Sequence, residues 1–172
     1  MMLRECTHLK AEDIAALAKL LQATVEAGAS VGFLAPLEEG EARAYWQAVG
    51  GALGGPALRC WVAEMDGQPV GSVQLAPCLR ANGRHRAEIQ KLMVHPAHRR
   101  AGIAAGLMQA AEDAAHAQGC TLLVLDTEAG SPAERFYRHL GWEAAGDIPD
   151  YALTPDGQLL TTRYFYKRLG RR

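Results

Sequence analysis

Ala87-Glu88-Ile89-Gln90-Lys91-Leu92-Met93-Val94-His95-Pro96, continued by Ala97-His98-Arg99-Arg100-Ala101-Gly102-Ile103-Ala104, sets the architecture of this chain. Ala87–Val94 reads as a strand, and Pro96 stops it because proline has no N–H to give a ladder. A turn with two arginines follows. Residues 102–117 then place Ile103, Leu107 and Ala111 on one face, the period of a helix, and Gly119 is its expected stop. A helix start leaves its first N–H groups without intrahelical partners and carries the positive end of the dipole. The span Arg99–Ala105 is therefore a candidate anion cradle, in which Gly102 and Ala104 leave room for a diphosphate. An ordinary helix start with solvated arginines is the competing reading. The three-glycine dinucleotide spacing is absent, and no Gly-Lys-Ser/Thr closes a P-loop. His95 and His98 lack a third ligand, so no metal is expected.

Downstream, Thr121–Leu125 is short and apolar, as a central strand should be. Strand, helix and strand predict a parallel pair joined by a right-handed crossover. Ser131, Pro132 and Glu134 spell a helix start with a capping box, and Gly141 ends that helix. Segments 142–148 and 159–168 supply a last strand pair. Upstream, Leu58–Met65 and Val70–Leu79 flank Asp66-Gly67, a hairpin signal, and Asn82-Gly83 turns the chain into Ala87–Val94, completing an antiparallel meander. Further upstream, a strand at Leu3–Thr7 precedes helices over 11–25 and 37–52. The first helix repeats Ile14, Leu17, Leu20, Leu21 and Val25, and the second carries Ala42, Tyr45, Trp46 and Val49. The expected fold class is α/β: a mixed central sheet with an antiparallel meander, a splayed parallel pair and flanking helices.

Composition narrows the classes. The chain has 172 residues, enough for one domain over 1–172 with a core over about 3–168. A net charge of −1 argues against a nucleic-acid partner, and 49% hydrophobic residues argue against disorder. No 18-residue apolar run suggests a membrane span, and the first residues do not read as a signal peptide. Cys6, Cys60, Cys78 and Cys120 have no zinc or redox spacing, so free thiols in a cytoplasmic setting are expected. The basic end, Lys167-Arg168-Leu169-Gly170-Arg171-Arg172, reads as a solvated tail or, less readily, as an anion contact.

Arg99-x-x-Gly102-x-Ala104 resembles the Arg/Gln-x-x-Gly-x-Gly/Ala signature of the GCN5-related N-acetyltransferases (GNAT). Ser131-Pro132-Ala133-Glu134-Arg135-Phe136-Tyr137-Arg138-His139-Leu140-Gly141-Trp142 is similar to their second block. Within the family, residues 28–33, 87–94, 125–131 and 154–157 resemble the tabtoxin-resistance branch, which acetylates a small β-lactam amino-acid toxin. Three positions depart from the common pattern: Ala104 stands for Gly, Ser131 for Asn, and Arg100-Ala101 for Gly-Arg or Gly-Lys.

The resemblance implies transfer of acetyl from acetyl-CoA (coenzyme A) to a primary amine in a ternary complex, and a possible homodimer. Leu92, Met93 and Val94 would hold the acetyl and pantetheine portions. Arg99, Arg100, Ala101, Gly102, Ile103, Ala104 and Ala105 would receive the diphosphate, and Ser131 and Tyr137 would also meet the cofactor. Glu88 and Asp126 are the candidate bases and Tyr137 the candidate acid. Ser30, Phe33, Glu88, Asp126 and Glu128 are candidates for acceptor binding. In a regular ladder Glu88, early in its strand, and Asp126, late in its neighbour, would be separated, so a bulge or splay is expected to join them. A non-catalytic acyl-CoA module and a peptide or protein N-acetyltransferase are the alternatives.

Overall fold

The computed structural model describes residues 1–170. Seven strands form one sheet in the order β1-β2-β3-β4-β5-β7-β6. The strands are β1 (Met2–Cys6), β2 (Arg59–Met65), β3 (Gln68–Pro77), β4 (Arg86–Val94), β5 (Leu122–Glu128), β6 (Glu143–Leu153) and β7 (Leu159–Arg168). The helices are α1 (Ala11–Glu26), α2 (Glu39–Ala52), α3 (Ile103–Ala117) and α4 (Pro132–His139). All strand neighbours are antiparallel except β4 and β5. The mixed sheet, the meander, the parallel pair and the flanking helices match the sequence-based expectation.

Alternation along β2 explains the layering. Trp61 and Ala63 join α3 and α4 in one apolar cluster with Leu107, Met108, Tyr137 and Trp142. Cys60 and Val62 turn the other way and join α1 and α2 around Leu17, Leu21, Trp46 and Val49. Residue 71 sits where α3 crosses β3. A Cβ there would stand 2.9 Å from the Met93 carbonyl oxygen and 3.0 Å from Ile103 Cγ2, so only glycine lets helix and strand approach.

Four expectations change. β5 runs on to Glu128, beyond the expected end at Leu125, so Asp126 lies within the strand rather than at its edge. β6 is longer than 142–148, and two irregularities in its pairing with β7 accompany the extension. The capping box at α4 is only half formed: the Ser131 hydroxyl accepts from the Glu134 N–H at 3.3 Å, while the Glu134 carboxylate reaches past it to the Gly130 N–H at 2.7 Å. Lys167 and Arg168 belong to β7. The Lys167 ammonium lies 2.6 Å from Glu112 Oε2 and donates to the Leu140 carbonyl at 2.9 Å, so this part of the basic end is tied down. Arg171 and Arg172 lie outside the described residues.

Candidate active site

The site begins with what β4 and β5 fail to do. They pair over three positions only, Arg86 with Leu122, Ala87 with Leu123 and Glu88 with Val124. Beyond Glu88, β4 stays with β3 and β5 stays with β7. The two strands part, and backbone N–H and C=O groups on their facing edges look into a wedge. Buried polar groups of this kind require a partner, so the wedge is chemically suited to an extended ligand with alternating donors and acceptors.

Register also places the two carboxylates. Glu88 lies opposite Val124, and Asp126 is two residues further on, on the same face and about 7 Å along the strand. Glu88 and Asp126 therefore share the α1/α2 side of the sheet. Of the two devices expected, no bulge is needed to join them, because the ladder's own offset is small, and the splay begins just beyond Glu88. Asp126 reaches solvent at the mouth of the wedge. Its carboxyl is nevertheless held above the ordinary aspartate value, first by desolvation and then by the charge of Glu88, with Lys91 opposing.

A bulge does occur, further along. Ser72 pairs with Met93 and Gln74 with Gln90, so three steps on β4 face two on β3. Lys91 occupies the extra position with φ +49°. The bulge reverses the alternation of β4. Ala87 and Ile89 face the α3/α4 cluster before it, and Leu92 and Val94 face the same cluster after it, while Met93 turns to α1 and α2. Thus the Leu92–Val94 backbone is presented at the wedge out of the phase that the start of the strand would predict.

The diphosphate candidates lie at the α3 start. Arg100 and Gly102 both have positive φ, +64° and +76°, and Arg99, Arg100, Ala101 and Gly102 are exposed. A Cβ at Gly102 would meet nothing within 4 Å, so in the protein itself this glycine is required by its backbone angle rather than by crowding. The N–H groups of Ile103, Ala104 and Ala105 open the helix and have no partner in it.

On the other side of the sheet, Tyr137 is 7% exposed and packs with Trp142 and Phe165 at centroid distances of 6.2 and 6.1 Å. Burial, and secondarily the charge of Asp126, push its hydroxyl well above the usual tyrosine value. It is protonated at neutral pH and, among the described residues, makes no hydrogen bond within the protein.

Other candidates are placed differently. The Ser131 hydroxyl accepts a capping bond from the Glu134 N–H, and its own O–H makes no bond among the described residues. The Ser30 hydroxyl donates to the Leu153 carbonyl at 3.4 Å, and the Ala35 N–H donates to the Pro155 carbonyl at 2.8 Å, so segment 28–36 is fastened to the β6–β7 hairpin. Phe33 stacks edge-on against Tyr45 with centroids 5.3 Å apart. Glu128 is half-buried at the end of β5 and forms no ion pair among the described residues.

Sequence reasoning missed three groups here. Lys91 Nζ lies 5.9 Å from the ring centroids of both Phe33 and Tyr45. Tyr45, pushed up to about 12 by burial, sits with its hydroxyl 2.8 Å from Gln74 Nε2. Tyr164 lies beside Asp126 in the register, its hydroxyl 2.6 Å from that of Tyr151. Only Lys91 left a trace in the sequence: the alternation Ala87, Ile89 breaks at the polar pair Gln90-Lys91 and resumes out of phase.

Residues 17–142 match the model of the Acetyltransferase (GNAT) family. The chain belongs to the GNAT acetyltransferase family. It is an acetyl-CoA-dependent acyltransferase whose acceptor is an amine. Similar folds include the ribosomal-protein-alanine N-acetyltransferase of Brucella melitensis, 24% identical, with a TM-score of 0.76 over 98% of this chain and 100% of that one. They also include yncA of Salmonella typhimurium, solved with its cofactor acetyl-CoA, 20% identical, with a TM-score of 0.77 over 100% and 95%. A GCN5-related N-acetyltransferase from Kribbella flavida is 23% identical, with a TM-score of 0.76 over 97% and 98%. For this GNAT acetyltransferase, the wedge, the α3 start and the free Tyr137 hydroxyl fit a thioester cofactor with a diphosphate.

Proposed function

We propose that this acetyltransferase acts on the primary amine of a small amino-acid-like molecule, a β-lactam amino acid among the candidates, by direct attack in a ternary complex. The observation that carries this reading is the pair Glu88 and Asp126, on one face where β4 and β5 part, with the Tyr137 hydroxyl free on the opposite side of the sheet. Acetyl-CoA, when bound, supplies an electrophilic thioester carbonyl.

The residues then divide the work. Leu92, Met93 and Val94 offer backbone groups to the acetyl and pantetheine portions, and one N–H there stabilises the oxyanion. Arg99, Arg100 and the α3 N–H groups hold the diphosphate. Asp126 and Glu88 bind the acceptor ammonium and take its proton, directly or through water. The amine nitrogen bonds to the carbonyl carbon, the carbon–sulfur bond breaks, and Tyr137 gives its proton to the departing sulfur. The segment 28–36, fastened to the β6–β7 hairpin, supports a bounded acceptor pocket over an open peptide groove. Cytoplasmic location and a homodimer complete the reading.

The test is a turnover screen of small amino acids, β-lactam amino acids, polyamines and short peptides, with mass detection of the product. Acetylation of a small amino-acid acceptor is expected. Strong peptide acetylation with every small amine inert would overturn the acceptor assignment, and coenzyme A binding without any turnover would indicate a binding module.

A further inference from the structure

Lys91 is a charged side chain on the Glu88 and Asp126 side of the sheet for which the proposed chemistry supplies no use. Its backbone stands at φ +49°, a conformation that glycine adopts freely and lysine does not. The bulge sends the side chain to the same side of the sheet as Glu88 and Asp126, and the fields of both carboxylates reach it. Its ammonium is half-buried beside the Phe33–Tyr45 ring pair, 5.9 Å from each centroid. A Cβ on Gly32 would come within 3.2 Å of Lys91 Nζ, so the glycine of the 28–33 segment leaves space for this ammonium. Among the described residues, no carboxylate oxygen lies within the 4.0 Å of an ion pair, and no acceptor receives its three N–H donors.

Group-by-group pairing, rather than net charge, then discriminates between acceptors. Two carboxylates and one ammonium leave the pocket at −1. A bare ammonium pairs with the carboxylates and cancels that charge, but it leaves the three N–H donors of Lys91 with no acceptor. A zwitterion uses both halves: its ammonium meets Glu88 and Asp126, and its carboxylate meets the unpartnered donors of Lys91.

We propose that Lys91 anchors the carboxylate of the acceptor, so that the preferred substrate is an α-amino acid rather than an amine lacking an acid group. This rests on the small-molecule reading above and adds to it a specificity residue and a required functional group.

The experiment compares each amino acid of the screen with its own carboxamide and its decarboxylated amine, in the full-length wild type, K91M and K91R. The wild type is expected to favour the acid over the carboxamide in kcat/KM. A charge-assisted hydrogen bond contributes roughly a tenfold to hundredfold preference. In K91M that ratio should fall by about tenfold or more, mainly through KM for the acid. K91R should keep much of the preference, because the cation is retained. Circular dichroism and coenzyme A binding confirm that each variant is folded. Equal use of acid and carboxamide by the wild type would overturn the assignment to Lys91 and leave the small-amine reading standing. A K91M loss equal for all three acceptors and seated in kcat would also overturn it, since it would show that Lys91 acts by tuning the carboxylates. Inertness of every small amine alongside peptide turnover would defeat the small-molecule reading and the anchor together.

Discussion

Replacing Tyr137 by phenylalanine removes one oxygen from the packed side of α4 and leaves every ring contact in place. The hydroxyl has no hydrogen-bond partner among the described residues, so its loss orphans no buried group. The ring keeps its neighbours Phe136, Trp142 and Phe165, with centroids 5.5 to 6.2 Å away. Stability should therefore change by less than about 1 kcal/mol, or roughly 2–4 °C in Tm. Chemistry should change far more. Burial and the nearby Asp126 charge keep this hydroxyl protonated well above neutral pH, as a proton donor to a thiolate requires. Loss of a positioned general acid lowers kcat by about 10²–10⁴, equivalent to roughly 3–5 kcal/mol of barrier. Y137A is the contrasting variant, because it also opens a cavity worth about 3–5 kcal/mol of stability. Single-turnover acetyl transfer would be measured for Y137F beside calorimetric coenzyme A binding and thermal melts. A chemical step within threefold of wild type, with intact binding, would refute Tyr137 as the acid.

Four further outcomes follow from the same geometry. E88Q removes the negative charge that helps hold the Asp126 carboxyl up, so the acidic limb of the kcat/KM profile should move to lower pH, whereas D126N should abolish that limb; an unmoved limb in E88Q would separate the two carboxylates. Because the folded Asp126 pKa is raised, its proton-linked stability is full below the unfolded value of about 3.9 and is lost as pH rises through the folded value. D126N should therefore melt higher than wild type at pH 7 while transferring acetyl more slowly. G102A forces a Cβ to φ +76° at an open position, costing about 1 kcal/mol and weakening coenzyme A affinity, which melts with and without coenzyme A will read. K167M strips the counter-charge from Glu112, whose carboxylate also accepts from Trp142 Nε1 at 3.0 Å, and should destabilise by about 3 kcal/mol; R43A, breaking an exposed helical pair, should cost about 0.5 kcal/mol or less in the same denaturant assay.

The elements were legible because their signals are local. Helical periodicity in 11–25, the Asp66-Gly67 turn and the Ser131-Pro132 start each report a backbone preference carried by neighbouring residues. The family motif at Arg99–Ala104 likewise sits in one continuous stretch. What was hidden depends on pairing between distant segments. Nothing near Glu88 announces that its ladder with β5 ends there, and nothing near Asp126 tells how far along it lies. The bulge was harder still, since the residue with left-handed backbone geometry is a lysine rather than glycine or asparagine. Lys167 looked like a tail because its partner, Glu112, is 55 positions away. Ser30 and Ser131 were visible as candidates, but only the fold shows that the Ser30 hydroxyl donates to the Leu153 carbonyl and that Ser131 accepts a capping bond.

The short β4–β5 ladder has a mechanical meaning as well. A sheet joined over three residue pairs and open beyond them is two half-sheets meeting at a hem, β1–β4 on one side and β5–β7 on the other. Across the open seam, backbone groups lack the strand partner that would make their exposure wait for unfolding of the whole domain. A ligand laid along the seam would stitch the halves together, so occupancy would be felt as stiffness in both, far from any atom that reacts.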